Sequence, residues 1–84
     1  MVPDYIHWLL GELKDLPPVT MSITRKKGRV KTKIGWGGDV CLVVLDGYTG
    51  TERSNYGLTS GCSVLTPTHI ASGEAVNAIR HMLA

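Results

Sequence analysis

The stretch that decides the fold reads VTMSITRKKGRVKTKIGW and covers residues 19–36. Apolar and polar side chains alternate from Val19 to Arg25 and again from Arg29 to Trp36, with Gly28 between the two runs. Alternation with a period of two is typical of a strand with one buried face, and glycine tolerates the positive φ of a tight turn. The stretch therefore predicts an antiparallel β-hairpin whose turn centres on Lys27-Gly28.

This turn position fixes the register of the predicted hairpin. It pairs Met21 with Ile34, Ile23 with Thr32 and Arg25 with Val30 on one face, and Ser22 with Lys33, Thr24 with Lys31 and Lys26 with Arg29 on the other. One face is then mostly apolar and the other is polar and basic, which is the pattern of a half-buried antiparallel pair.

Helical periodicity appears at both ends of the chain. Apolar residues recur at three- and four-residue spacing from Pro3 to Leu16, and Pro17-Pro18 ends that helix. A last helix is predicted near the C-terminus, beginning either at Thr66-Pro67 or at Ser72-Gly73-Glu74.

Further strands are predicted between the hairpin and the last helix. The apolar run Val40 to Leu45 indicates a central strand covered on both faces, and Cys62 to Leu65 indicates a short fourth strand. A short irregular strand is predicted near Asn55 to Leu58. We expect one α+β domain over residues 1–84, with a mainly antiparallel three- to four-stranded sheet. Both terminal helices are expected on one face of it, which leaves the basic face open.

The two cysteines suggest a reducing environment. Cys41 lies inside the apolar run, where a buried free thiol is common, and two cysteines in so short a chain do not indicate a disulfide framework. The N-terminus lacks the basic region and unbroken apolar run of a secretory signal, and no apolar run approaches the roughly 20 residues of a membrane span. We therefore expect two reduced thiols and a cytoplasmic location.

Charge is concentrated in the hairpin. Six cations and no acid lie between residues 25 and 33, whereas the rest of the chain holds three cations and seven acids. The formal net charge of +2 therefore hides a dipole with the hairpin as its positive end. The six cations are Arg25, Lys26, Lys27, Arg29, Lys31 and Lys33.

Catalytic and metal-binding patterns are weak. Cys62 is the only plausible nucleophile, with His69 or His81 as its base, but its neighbours match no nucleophile motif. The cysteines and histidines are scattered singly rather than in the short pairs of a zinc site, and no two acids suggest an acid–base pair. Gly35, Gly37 and Gly38 lead into a strand rather than a helix, unlike a dinucleotide-binding loop.

These observations predict a non-enzymatic binding protein without cofactor, metal or membrane contact. We expect it to occupy a partner surface as an inhibitor or adaptor of a host nucleic-acid-processing complex, as phage and mobile-element proteins directed against restriction or CRISPR nucleases do. The alternative is direct binding of nucleic acid, with hairpin 25–33 on the phosphates. Lysines that merely protect an edge strand from aggregation are a third interpretation. The expected contact residues are the six hairpin cations together with Trp36 and Tyr48.

Overall fold

A computed structural model of the chain describes residues 1–38, 40–47 and 62–84. The predicted strand near Asn55 to Leu58 lies outside the described residues. The elements in chain order are α1 (Asp4–Glu12), β1 (Thr20–Lys26), β2 (Arg29–Gly35), β3 (Cys41–Asp46), β4 (Cys62–Leu65), α2 (Pro67–Ala71) and α3 (Glu74–Leu83).

The four strands form one sheet in the order β1-β2-β3-β4. β1 and β2 pair antiparallel, as do β2 and β3, whereas β3 and β4 pair parallel. The small α+β class and the strand number agree with the prediction, but the sheet is mixed. The direction of β4 has no signature in its four residues, because it depends on how the chain returns to the sheet rather than on local composition.

The hairpin register is confirmed at all six predicted pairs, from Met21 opposite Ile34 to Lys26 opposite Arg29. Lys27 has φ of 52° and Gly28 has φ of 76°, so both central residues of the turn are left-handed. A two-residue turn with this geometry matches the right-handed twist of the strands it joins.

One apolar cluster joins the helices to the sheet. Residues of β2 and β3 that share a sheet face, among them Ile34, Leu42 and Val44, belong to it, as do residues of all three helices. Trp36 is the aromatic member and is 9% exposed. The helical members are Ile6, Leu9, Leu13, Ile70, Ala75, Val76 and Ile79.

Both predicted helical regions differ in detail. The first helix ends at Glu12 rather than Leu16, because in a continuing helix the ring of Pro17 would clash with the carbonyl of Leu13, the residue that caps α1. The second region forms two helices, so both predicted start sites are used. Gly73 separates them with a φ of 86°, which suits glycine and not a helix interior.

The prediction of two free thiols is wrong. Cys41 and Cys62 lie directly opposite each other in the parallel β3–β4 pair and form a disulfide, with their Cα atoms 4.4 Å apart. The sequence separation of 21 residues carries no sign of this contact, because the parallel register alone brings the two side chains together.

Candidate functional site

The hairpin presents a row of lysines on the sheet face that points away from the apolar cluster. On β2, Thr32 and Ile34 are completely buried, whereas the alternating Lys31 and Lys33 are exposed. Alternate residues of a strand lie about 6.8 Å apart, so the two ammonium groups belong to one continuous patch.

Neighbouring positions extend this patch towards the hairpin tip. Lys26 and Arg29 pair across the hairpin on the same face as Lys31; Lys26 is exposed and Arg29 is half-buried. Lys27 lies exposed in the turn. Arg25 is also exposed but pairs with Val30, on the same face as Thr32 and Ile34, so it lies behind the patch rather than in it. The patch proper, called the basic face below, consists of Lys26, Arg29, Lys31 and Lys33.

A close backbone contact holds the hairpin tip against the end of β3. Gly47 has φ of 80°, and a Cβ atom added there would lie 2.9 Å from the carbonyl oxygen of Gly28. A side chain at residue 47 would therefore push the turn away from the sheet. This contact positions the tip cations relative to β3.

Of the two predicted aromatic anchors, the structure describes Trp36, and this residue does not join the patch. The Trp36 indole lies in the apolar cluster, and its Nε1–H donates to the carbonyl oxygen of Leu16 at 2.8 Å. Its assignment as a partner contact is therefore corrected: this side chain ties the segment after α1 to the end of β2. Tyr48 lies outside the described residues.

Acidic groups gather on the helical layer. The helices and the turn after α1 contain four acids against two cations, so this layer carries the opposite sign to the hairpin. The acids are Asp4, Glu12, Asp15 and Glu74, and the cations are Lys14 and Arg80.

Arg80 and Asp15 form the ion pair of this layer. The guanidinium of Arg80 donates to both carboxylate oxygens of Asp15 at 3.0 Å and to the carbonyl oxygen of Glu12 at 2.8 Å. These hydrogen bonds lower the pKa of the Asp15 carboxyl. Because this pKa is lower in the folded chain than in the unfolded chain, the ionised carboxylate stabilises the fold at pH values above the usual carboxyl pKa. The stabilisation is lost as the pH falls through the lowered pKa. The pair links α3 to the end of α1.

Tyr5 lies at the junction of α1 and the sheet, near Arg25 and Asp46. Burial of the phenol raises its pKa to about 12; the Asp46 carboxylate adds to the rise and Arg25 opposes it. The hydroxyl oxygen is buried and meets no partner at hydrogen-bonding geometry among the described residues. The neutral phenol is therefore the form that the folded chain favours.

A shallow groove of about 250 Å³ lies beside Tyr5, where α1 and α2 meet. Tyr5, Trp8, Ile70 and Ala71 line it, and Trp8 remains 43% exposed. The apolar periodicity of α1 places these aromatic residues beside the main stripe. Only the position of α2 shows that they border a groove.

Cys62 and His69, two of the three groups considered for catalysis, have structural roles in the described ranges, whereas His81 is an exposed residue of α3. The sulfur of Cys62 is bonded to that of Cys41. The Nδ1 atom of His69 lies 3.3 Å from the Thr66 backbone nitrogen and 3.0 Å from its hydroxyl, in a capping box at the start of α2. Within residues 1–38, 40–47 and 62–84, no three His, Cys, Asp or Glu side chains are grouped so that they could hold a metal ion.

Comparison with known proteins returns no match to any protein family, curated protein or solved structure. The helices of the described segments are all too short or too polar to cross a membrane.

Proposed function

We propose that this chain is a non-enzymatic binding protein that acts by occupying a surface, with the basic face as its contact. Its target is an acidic patch on a nucleic-acid-processing protein complex, so the chain serves as an inhibitor or adaptor. Phage and mobile-element proteins directed against restriction or CRISPR nucleases work in this manner. The proposal includes helices packed on one side of the sheet, with the basic face of the hairpin left for the partner.

One observation carries this proposal. The hairpin register places four cations on one face, and Lys31 and Lys33 stand exposed at its centre with no acid beside them among the described residues. Charges arranged in this way steer an anionic partner towards one orientation and reject cationic ones.

The distribution of charge over the whole molecule favours a protein partner. A protein that enters a groove of DNA or RNA has phosphates on both sides. These phosphates would repel the acidic side chains of the helical layer. A localised acidic patch on a protein needs contact with only one face. The net charge of +2 is also low for a domain whose affinity rests on phosphates.

A cytoplasmic location belongs to this proposal, because the proposed targets act there. The Cys41–Cys62 disulfide argues in the other direction, since structural disulfides are rare in reducing compartments. The β3–β4 register brings the two residues together in either redox state. Alkylation and mass spectrometry of the protein taken from cells measure which state prevails.

Direct binding of nucleic acid is the second candidate, favoured by the regular spacing of cations along β2. If the four cations of the basic face each neutralise one phosphate, the logarithm of affinity for duplex DNA falls with the logarithm of salt concentration at a slope of about −3.6. A protein interface with charges at its rim shows a shallower dependence, mainly in the association rate. Titration of fluorescent duplex DNA and RNA at two salt concentrations distinguishes the two candidates.

Charge reversal tests the basic face itself. The Lys31→Glu/Lys33→Glu variant should lose at least about tenfold in partner capture from nuclease-treated lysate, because like charges then face each other across the contact. Its circular-dichroism spectrum and melting temperature should stay near those of the wild type, since both side chains are exposed.

Lys14→Glu is the matched control for the single variant Lys33→Glu, because it makes the same charge change at an exposed position on the helical layer. Lys33→Glu should weaken capture and Lys14→Glu should not. Equal capture by the folded Lys31→Glu/Lys33→Glu variant and the wild type would refute the assignment of this face.

A further inference from the structure

β1 is an edge strand that is exposed over most of its length. Among the described residues it pairs only with β2, and six of its seven residues are exposed, with Ile23 half-buried. The five residues from Thr20 to Thr24 carry no charge and no proline. Charges, proline, bulges and short length are the usual protections of an edge, and the middle of this strand lacks the first two.

The backbone register shows which groups of β1 point outward. The Trp36 N–H donates to the carbonyl oxygen of Val40 at 3.0 Å, so even-numbered residues of β2 direct their hydrogen bonds towards β3. Odd-numbered β2 residues such as Lys33 therefore bond to β1, at Ser22 and the other even-numbered positions. The N–H and C=O groups of Met21, Ile23 and Arg25 consequently face away from the sheet.

An antiparallel copy of β1 satisfies these outward groups. A two-fold axis at Ile23 lies at the midpoint of Thr20–Lys26, so all seven residues of one strand pair with all seven of the other. Ile23 then meets Ile23 of the second copy, Met21 meets Arg25, and Thr20 meets Lys26. Each outward-facing residue pairs with another outward-facing residue, as an antiparallel ladder requires.

Overlap and charge select this register over its neighbours, because centring the axis on Met21 would pair only three residues of β1. Centring the axis on Arg25 would place two guanidinium groups directly opposite each other, which is destabilising. With the axis at Ile23, every cation of β1 faces an uncharged residue. The two Arg25 residues lie about 14 Å apart along the strands, beyond the screening length of about 8 Å at physiological salt.

The pairing also covers apolar surface. Met21 is 41% exposed and Ile23 is half-buried, and both lie on the same face of the strand. In the dimer Ile23 of one copy lies beside Ile23 of the other, and each Met21 lies beside Arg25 of the second copy, so these side chains lose contact with water.

We propose that the chain forms a symmetric dimer through its β1 edges, with the two sheets continuing into one of eight strands. This contact shares only Lys26 with the basic face, and it does not rest on the proposed function. The strands meet along seven residues, which is a small interface, so the dissociation constant should lie on the order of 10–100 µM.

Opposite substitutions at Met21 test the register. Met21→Glu places a carboxylate opposite Arg25 of the second copy at two symmetric positions, and Met21→Lys places a cation there. Within one chain, residue 21 faces the apolar Ile34 and is far from Arg25, so neither change creates a new ion pair in the monomer. Sedimentation equilibrium from about 1 to 500 µM measures the dissociation constant of each.

Met21→Glu should tighten the dimer and Met21→Lys should weaken it, each by about threefold or more, because two cross-strand charge pairs change sign together. A circular-dichroism spectrum equal to that of the wild type verifies the fold of each variant. A wild-type chain that remains monomeric throughout the range overturns the proposal. Equal dissociation constants for both variants also overturn it, since the copies would then associate elsewhere.

Discussion

The two strands of the hairpin share one register but differ in their surroundings. Met21 on β1 and Ile34 on β2 face each other across the ladder on the same side of the sheet. Ile34 is completely buried in the apolar cluster, whereas Met21 is 41% exposed. Alternation in sequence therefore identifies which face a side chain shares but not how deeply it is buried. Depth follows from the position of the strand in the sheet, central for β2 and at the edge for β1.

The largest expected effect comes from truncating these two partners separately. Ile34→Ala should lower the free energy of unfolding by about 2–5 kcal/mol, because it leaves a cavity in a closed cluster. Met21→Ala should cost about 1 kcal/mol or less, since water already reaches that side chain. Urea unfolding at about 1 µM protein, where a weak dimer dissociates, gives both values. Equal losses would mean that β1 is covered like β2 in solution.

The second effect concerns the other edge of the sheet, where β4 is attached by a disulfide rather than a tight turn. Reduction of Cys41–Cys62 should lower the free energy of unfolding by about 3 kcal/mol, since the bond closes a loop of 21 residues in the unfolded chain. Unfolding with and without a dithiol reductant measures the difference. A Cys41→Ala/Cys62→Ala variant is the control and should not respond to the reductant. Two titratable thiols in the untreated protein would contradict the expectation.

The smallest expected effect comes from removing a single hydroxyl group, buried on β2 or exposed on β1. Thr32 on β2 is completely buried, and its Oγ1 atom has no hydrogen-bond partner in the part of the chain that the structure describes. Thr32→Val keeps the side-chain shape and removes this unsatisfied group, so it should raise stability by about 1 kcal/mol. Thr24→Val on β1 is the exposed counterpart and should change stability by about 0.5 kcal/mol or less. A stability loss in Thr32→Val would show that the hydroxyl has a partner, such as a bound water.

Some features of the candidate site follow from residues that are neighbours in the sequence, and others depend on contacts between distant residues. The six hairpin cations could be predicted from sequence, because charge runs and strand alternation are local. The assignment of Trp36 to the surface was wrong, because its burial depends on Leu16, twenty residues away, whose carbonyl oxygen accepts the indole hydrogen. The groove beside Trp8 exists only because α2 lies against α1, and this contact cannot be predicted from the periodicity of α1 alone.

The sequence by itself determined the hairpin, its turn and its register. Apolar and polar residues alternate in both strands, and the single glycine after two lysines places the turn, so few other strand pairings are possible. It also determined the separation of charge between the hairpin and the rest of the chain. Only the tertiary structure decided the parallel pairing of β3 with β4, the disulfide that follows from it, and the division of the last helical region at Gly73. These features join segments far apart in the chain. Their free energy comes from contacts between elements, and no local pattern of residues encodes such contacts.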